Sequence, residues 1–109
     1  MADPTHAVLI RMRSSLDHDE IVRIMNERAP EFRALDGLEQ KYYLHDPTTG
    51  EYGGFYVWRS IDDVVKYRES DLAASIAAAY RGIAAPDVTV FEIVMPLRDR
   101  PGAPVIDTG

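Results

Sequence analysis

Two segments near the ends of the chain carry apolar side chains at both odd and even positions, a pattern typical of buried strands. The first segment is residues 6–13 and the second is residues 88–95. In the first segment the apolar residues are Ala7, Val8, Leu9, Ile10 and Met12. We expect the first segment to be a central strand covered on both faces, and the second to be the last strand of the fold.

A third segment has the apolar spacing of three and four residues that is typical of an amphipathic helix. It begins near His18 and runs to Glu27 or, beyond Pro30, as far as Ala34. Proline has no backbone N–H, so we expect the helix to bend or end at Pro30. The stripe that this helix presents consists of Ile21, Ile24, Met25 and Arg28.

A second helical segment follows Ser60. The Ser60 hydroxyl can cap the helix, and Asp63 stands three residues later, in an approximate capping-box position. Ser70 offers a further cap, so we expect the helix to be capped again there and to continue towards Tyr80. Gly82 is the expected terminator.

Between the two helical segments the sequence predicts a β-hairpin. Its strands are residues 38–45 and the residues from Tyr52 onward, and turn-forming residues favour a four-residue loop at 47–50. That loop length places Lys41 opposite Tyr56, and directly opposed residues share a face. One face then collects polar and aromatic residues, which are Glu39, Lys41, Tyr43, His45, Tyr52, Tyr56 and Trp58. A bulge at the glycine pair after Tyr52 would change this register.

The predicted order of elements is strand, helix, strand, strand, helix, strand, which is the ferredoxin-like βαββαβ arrangement. The expected fold class is therefore α+β, with both helices on one face of a four-stranded antiparallel sheet. We expect a single domain over residues 1–98 and an irregular C-terminal tail over residues 99–109. The first and last strands keep apolar residues on the face away from the helices, so we expect a homodimer in which a second subunit covers that face.

Composition narrows the range of partners. The 109 residues include 12 Lys and Arg against 18 Asp and Glu, a net charge of −6, which argues against binding to a nucleic-acid backbone. Cysteine is absent, so the chain has no thiolate nucleophile, and this fits a reducing compartment. No apolar stretch approaches the ~20 residues that a membrane span needs, and the N-terminus lacks the pattern of a signal peptide. We expect a cytoplasmic protein with no nucleic-acid or membrane partner.

Several short motifs resemble one family. They are Gly37-Leu38 with Lys41 three residues later, Gly53-Gly54-Phe55-Tyr56, Trp58-Arg59-Ser60, Tyr67, Ser70, Val90-Phe91-Glu92-Ile93 and Pro96-Leu97. Over residues 6–97 the chain resembles the dimeric α+β barrel proteins, specifically those assigned as YdhR-like monooxygenases, which are related to the antibiotic-biosynthesis monooxygenases. The resemblance implies a cofactor-free oxygenase that acts on an aromatic or polyketide-like small molecule. Where haem-degrading members of the broader family use a histidine in the second helix, this chain has Tyr67 or Arg68, which argues against haem degradation.

Candidate site residues come from the polar and aromatic hairpin face and from the helix that follows it. Lys41 would stabilise the anion of a bound phenol or enol, and His45 would act as a base, because imidazole titrates near neutrality. Tyr67 is the third candidate catalytic residue. The candidate substrate-binding residues are Tyr43, Tyr56, Trp58 and Arg59. The competing interpretations are an exposed strand lysine, a surface histidine, aromatic residues of the core and, for Arg59, a salt bridge at the rim.

The sequence leaves the reaction open. The three histidines form no HxH or HxxxH pair, so we expect no metal site. The same acid and base groups could serve a cyclase, isomerase or lyase that uses no oxygen, or the cavity could belong to a ligand-binding dimer without chemistry. Oxygen uptake would separate an oxygenase from the other two, and anaerobic turnover would separate those from each other.

Overall fold

A computed structural model describes residues 3–98 of the chain. The expected tail at 99–109 lies outside the described residues. The described elements, in chain order, are β1 (His6–Met12), α1 (His18–Arg33), β2 (Leu38–His45), β3 (Tyr52–Trp58), α2 (Ile61–Arg68), α3 (Asp71–Ala74), α4 (Ile76–Ala79) and β4 (Asp87–Glu92). The four strands form one antiparallel sheet in the order β2-β3-β1-β4. The ferredoxin-like α+β fold is therefore confirmed, with β1 in the interior of the sheet as predicted.

The core lies between the helices and one face of the sheet. Even-numbered residues of β1 and β3, such as Val8, Tyr56 and Trp58, pack with Ile21 of α1 and Val64 of α2 in one buried cluster. Within residues 3–98 no helix covers the opposite face of the sheet.

The uncovered face carries apolar side chains on neighbouring strands. Leu9 of β1 is opposed by Phe55 of β3, and Ala7 is opposed by Phe91 of β4. Phe91 is 45% exposed and Tyr42, which is opposed to Phe55, is 55% exposed. A monomer thus leaves aromatic rings in contact with water on this face.

Helix ends follow their capping residues. Asp17 accepts a hydrogen bond from the Glu20 N–H at the start of α1, and Ser60 accepts one from the Asp63 N–H at the start of α2. Ser70 caps α3 in the same way. The second helical segment is therefore divided into three short helices rather than two.

The first helix continues through Pro30 to Arg33, so the longer of the two predicted ends is correct. Pro30 is exposed, and its carbonyl accepts a hydrogen bond from the Ala34 N–H at 3.2 Å. Phe32 is only 4% exposed, and burial of its ring stabilises the last turn despite the missing backbone donor.

The last strand is shorter than predicted, since it ends at Glu92 rather than at residue 95. Glu92 is paired with His6, the first residue of β1. One more backbone hydrogen bond follows, from the Ile93 N–H to the Thr5 carbonyl at 2.8 Å, and Val94 and Met95 beyond it are exposed.

The hairpin has the predicted four-residue loop. The Asp46 N–H donates to the Glu51 carbonyl at 2.8 Å, and Lys41 is opposed by Tyr56. The irregularity in the register lies between Leu38 and Gln40 rather than at the glycine pair. As a result Leu38 is opposed by Trp58 and packs against the core; the regular alternation of side chains had predicted it on the opposite face from Trp58, and that prediction is wrong.

Candidate functional site

A cavity lies between the sheet and the helices, at the middle of the hairpin. Its lining includes Lys41 and Tyr43 of β2, Tyr56 of β3, Met25 and Phe32 of α1, and Tyr80 after α4. The space between atoms amounts to about 440 Å³, including the part open to solvent, but only about 30 Å³ admits the centre of a water molecule. That is room for one or two waters, so an aromatic ligand has to move the side chains that fill the cavity.

Gly54 makes this arrangement possible. A Cβ at position 54 would stand 2.8 Å from Cε1 of Tyr56 and 3.2 Å from Cε of Lys41. The absence of a side chain therefore gives the Tyr56 ring and the Lys41 stem the space to lie side by side over the strand. Gly54 therefore provides room for a ring, whereas a Cβ at Gly53 would meet the backbone carbonyl of Ile10.

The Lys41 amine lies among three aromatic rings. Its Nζ is 3.4 Å from the ring centroid of Phe32, 4.3 Å from that of Tyr43 and 4.5 Å from that of Tyr56. These distances are within the range at which an ammonium is attracted to the face of a ring. Within residues 3–98 no carboxylate belongs to the lining of this cavity.

Burial, together with the smaller effect of the positive charge of Arg28, lowers the pKa of Lys41 from 10.5 to about 7. The ring contacts favour the ammonium, but they do not replace the water that the amine has lost. At neutral pH the folded protein therefore holds comparable amounts of the neutral amine and the ammonium at this position.

Four tyrosines surround the amine or stand behind it, and burial raises the pKa of each of them. The pKa of Tyr80 rises to about 12, and those of Tyr43, Tyr56 and Tyr67 also rise. Near neutrality these phenols keep their protons, so they can donate hydrogen bonds but cannot act as bases.

Tyr67 does not line the cavity. It packs behind Tyr56, with 5.6 Å between the ring centroids, and beside Trp58, at 5.2 Å. The Tyr67 hydroxyl is near enough to that of Tyr56 to affect its pKa, yet the two groups do not meet hydrogen-bond geometry. The buried Tyr67 hydroxyl and the Trp58 indole N–H therefore have no partner among the described residues.

His45 lies at the turn end of the hairpin and is not part of the cavity lining. Its ring stacks on that of Tyr52 at a centroid distance of 4.4 Å. The Tyr52 hydroxyl is also 2.7 Å from Nδ1 of His18, a residue that no pattern in the sequence connects with His45. Tyr52 does line the cavity, so the two histidines reach it only through this phenol ring.

Arg59 is directed away from the cavity. Its guanidinium forms ion pairs with Asp36 at 3.3 Å and with Asp63 at 3.2 Å. These contacts connect the segment before β2 to the first turn of α2, the salt-bridge arrangement that the sequence had left as an alternative.

Sequence reasoning did not include Arg28 in the candidate site. Its guanidinium donates to the Ser75 hydroxyl at 2.8 Å, and its Nε is buried without a hydrogen-bond partner among the described residues. A signal was present, because Arg28 is the one charged residue on the apolar stripe of α1. Phe32 and Tyr80, which also line the cavity, had no such signal, since either could have been an ordinary core residue.

Within residues 3–98, no group of three or more histidine, aspartate and glutamate side chains could hold a metal ion. None of the helices in the same range is long and apolar enough to cross a membrane.

Comparison with known proteins supports the fold. No protein-family model matches the sequence, and no curated protein is found to be similar to it. Among solved structures, one that is similar is NE2512 from Nitrosomonas europaea, a protein of unknown function. The identity is 14%, the TM-score is 0.73, and the match covers 89% of this chain and 96% of that chain.

Two further solved structures have the same fold. SnoaB from Streptomyces nogalater, described as a cofactor-independent oxygenase, is 15% identical with a TM-score of 0.69, and the match covers 88% of this chain and 99% of SnoaB. Rv0793 from Mycobacterium tuberculosis is 21% identical with a TM-score of 0.64, over 87% of this chain and 97% of that one. The ferredoxin-like α+β fold of the subunit is thereby confirmed, while the dimeric barrel that the resemblance implied stays a prediction. Assignment to the YdhR-like group in particular stays a prediction.

Proposed function

We propose that this protein is a small-molecule enzyme, a cofactor-independent monooxygenase that oxidises a phenolic aromatic or polyketide-like substrate. The observation that carries the proposal is the Lys41 amine, which is enclosed by three rings close to Arg28, in a cavity whose lining among the described residues contains no carboxylate. The fold shared with SnoaB, itself described as a cofactor-independent oxygenase, supports the reaction class.

Lys41 serves as base and as anion stabiliser in this proposal. In its neutral form the amine accepts the proton of a bound phenol. The ammonium that results, together with Arg28, then stabilises the phenolate in surroundings that exclude most water. His45, the base suggested by sequence, is replaced in this role because it lies outside the cavity lining.

The overall reaction places a requirement on the substrate. One atom of dioxygen enters the product and the other leaves as water, so without a cofactor the substrate has to supply two electrons and two hydrogens. A phenol with an acidic CH₂ group in conjugation meets this requirement, because oxidation of CH₂ to C=O releases both hydrogens as water. Tyr43 and Tyr56 would stack against such a ring system, with Trp58 and Tyr67 supporting the Tyr56 ring from behind.

The active unit in this proposal is a homodimer. The uncovered sheet face, with Phe55, Tyr42 and Phe91 in contact with water in a single subunit, would pack against the same face of a second copy. Pairing of the two sheets would give the dimeric α+β barrel that the sequence resemblance implies.

Oxygen consumption with a panel of such phenols tests the proposal. Lys41→Met keeps most of the side-chain volume and removes the amine, so turnover should fall by ~10²-fold or more. The matched control is Lys66→Met on α2, which removes an exposed lysine and should leave turnover unchanged. In the wild type kcat/KM should rise with pH through about 7, as Lys41 loses its proton.

His45→Gln distinguishes the two candidate bases, because it should keep that pH dependence if Lys41 is the base and lose it if His45 is. Turnover that continues without oxygen would contradict the proposal in favour of a cyclase, isomerase or lyase. Saturable binding without turnover of any phenol would favour the ligand-binding dimer.

A further inference from the structure

The chain contains only two lysines, Lys41 and Lys66, and the fold gives them opposite environments. Lys66 is exposed on α2, whereas Lys41 is half-buried among Phe32, Tyr43 and Tyr56. We propose that Lys41 is a nucleophile that forms a Schiff base with aromatic aldehydes or ketones entering this cavity. This activity is separate from the proposed oxygenase reaction, since imine formation consumes no oxygen.

The position of the amine supports this role. Lys41 lines both the narrow inner cavity and an adjoining open groove that it shares with Ala29, Arg33 and Gln40. A carbonyl compound can therefore approach from the groove while its ring takes a place among the aromatic side chains. Desolvation in an apolar pocket and a neighbouring cation are the two conditions that activate a lysine for attack on carbonyl groups, and Lys41 meets both.

The charges around the amine favour the neutral form. The charged and titratable groups that line these two spaces or act on Lys41 are Arg28 and Arg33 of α1, Glu39 and Tyr43 of β2, Tyr52 and Tyr56 of β3, and Tyr80. Of these, Arg28 is the group whose charge shifts the pKa of Lys41, and it lowers that pKa. Arg28 also favours carbonyl compounds that are neutral or anionic over cationic ones.

The chemical step needs no reactant beyond the carbonyl compound and one proton from solvent, which the departing hydroxyl takes up. The lone pair of Nζ attacks the carbonyl carbon, and the π electrons of the C=O bond move to oxygen. Transfer of a proton from nitrogen to that oxygen gives a carbinolamine. The nitrogen lone pair then expels the hydroxyl group, which leaves as water once it is protonated, and a protonated imine remains.

The aromatic rings suit the product as well as the reactant. The protonated imine is a cation at the position of Nζ, where three ring faces already lie within 3.4–4.5 Å, and such rings stabilise a cation there. The buried phenols of Tyr43 and Tyr56 keep their protons, because burial raises the pKa of both. They are therefore able to donate a hydrogen bond to the departing hydroxyl.

Reductive trapping on the full-length protein tests the inference. The protein is incubated with 4-hydroxybenzaldehyde and cyanoborohydride between about pH 6 and about pH 9, which brackets the titration of a lysine activated in this way. It is then cleaved at glutamate and aspartate, and mass spectrometry compares labelling of Lys41 and Lys66 within the same molecules. Near neutral pH we expect Lys41 to be labelled at least ~10-fold faster than Lys66, because a far larger fraction of the Lys41 amine is unprotonated. This factor already allows for the lower nucleophilicity of an amine with a lower pKa.

Two controls test whether the faster labelling of Lys41 depends on the folded cavity and is independent of Lys66. The preference should disappear when the protein is unfolded in urea, and Lys66→Met should leave labelling of Lys41 unchanged. Labelling of Lys41 should level off above about pH 7 while that of Lys66 keeps rising. Equal labelling of the two lysines in the folded wild type, or slower labelling of Lys41, would overturn the inference. Failure to consume oxygen with phenols would refute the oxygenase proposal and leave this result unaffected.

Discussion

Replacement of Lys41 by methionine should make the protein more stable, and by an amount that depends on pH. The pKa of this amine falls from 10.5 in the unfolded chain to about 7 in the folded one. At ~1.36 kcal/mol per pKa unit, the protonated amine opposes folding by up to about 5 kcal/mol. Lys41 is only half-buried, and solvent screening on its open side reduces this value, so we expect about 2–4 kcal/mol.

The direction of the pH dependence follows from proton binding. Between about pH 7 and 10.5 the unfolded chain binds more protons at Lys41 than the folded chain does. The free energy of unfolding of the wild type should therefore rise with pH across this window, relative to that of Lys41→Met. The stability difference between the two proteins should be largest below about pH 7 and should shrink by about 1–2 kcal/mol by about pH 9.

The measurement is urea unfolding of both proteins at equal concentration over this pH range, with tryptophan fluorescence as the signal. Methionine has a similar volume, so the change leaves no large void. Lys66→Met, an exposed change on α2, should stay within ~0.5 kcal/mol of the wild type at every pH. Parallel stability curves for the wild type and Lys41→Met would show that the amine keeps its ordinary pKa, and would remove the physical basis of both proposed activities.

Two further predictions concern packing. Gly54→Ala should lower the free energy of unfolding by about 1–3 kcal/mol in thermal or urea denaturation, because the added Cβ would stand 2.8 Å from the Tyr56 ring. The control is Gly82→Ala, whose Cβ would have no neighbour nearer than 3.4 Å and which should change the free energy of unfolding far less. Phe55→Glu, which places a charge on the uncovered sheet face, should convert a homodimer into a monomer in sedimentation at micromolar concentration, whereas Val65→Glu on the exposed side of α2 should not. A wild type that sediments as a stable monomer would rule out the dimer.

Local signals in the sequence determined the elements and much of their pairing. Ser60 caps its helix because a serine hydroxyl at this position can accept a hydrogen bond from a backbone N–H of the first helical turn, here that of Asp63. The hairpin register follows from turn chemistry, since Pro47 and Gly50 fix the loop length, and loop length fixes which residues are opposed. These interactions span few residues, so no knowledge of the tertiary fold was needed to predict them.

The ends of the elements were harder to predict, because distant residues decide them. The first helix passes Pro30 since burial of Phe32 stabilises the turn beyond it. The last strand ends at Glu92 because its partner, β1, begins at His6, and only one further backbone hydrogen bond, from the Ile93 N–H to the Thr5 carbonyl, extends the pairing. Neither cause can be recognised in the nearby sequence.

Sequence alone placed Lys41 and His45 on one face of a strand, and that much was determined by the alternation of side chains. Only the tertiary structure decided that they lie in different surroundings. Lys41 and His45 are four residues apart along the strand, a separation of ~13 Å, which is enough for one side chain to enter the core and the other to stay at the turn. Phe32 and Arg28, which set the environment of the Lys41 amine, come from α1, and the packing of that helix on the sheet brings them there.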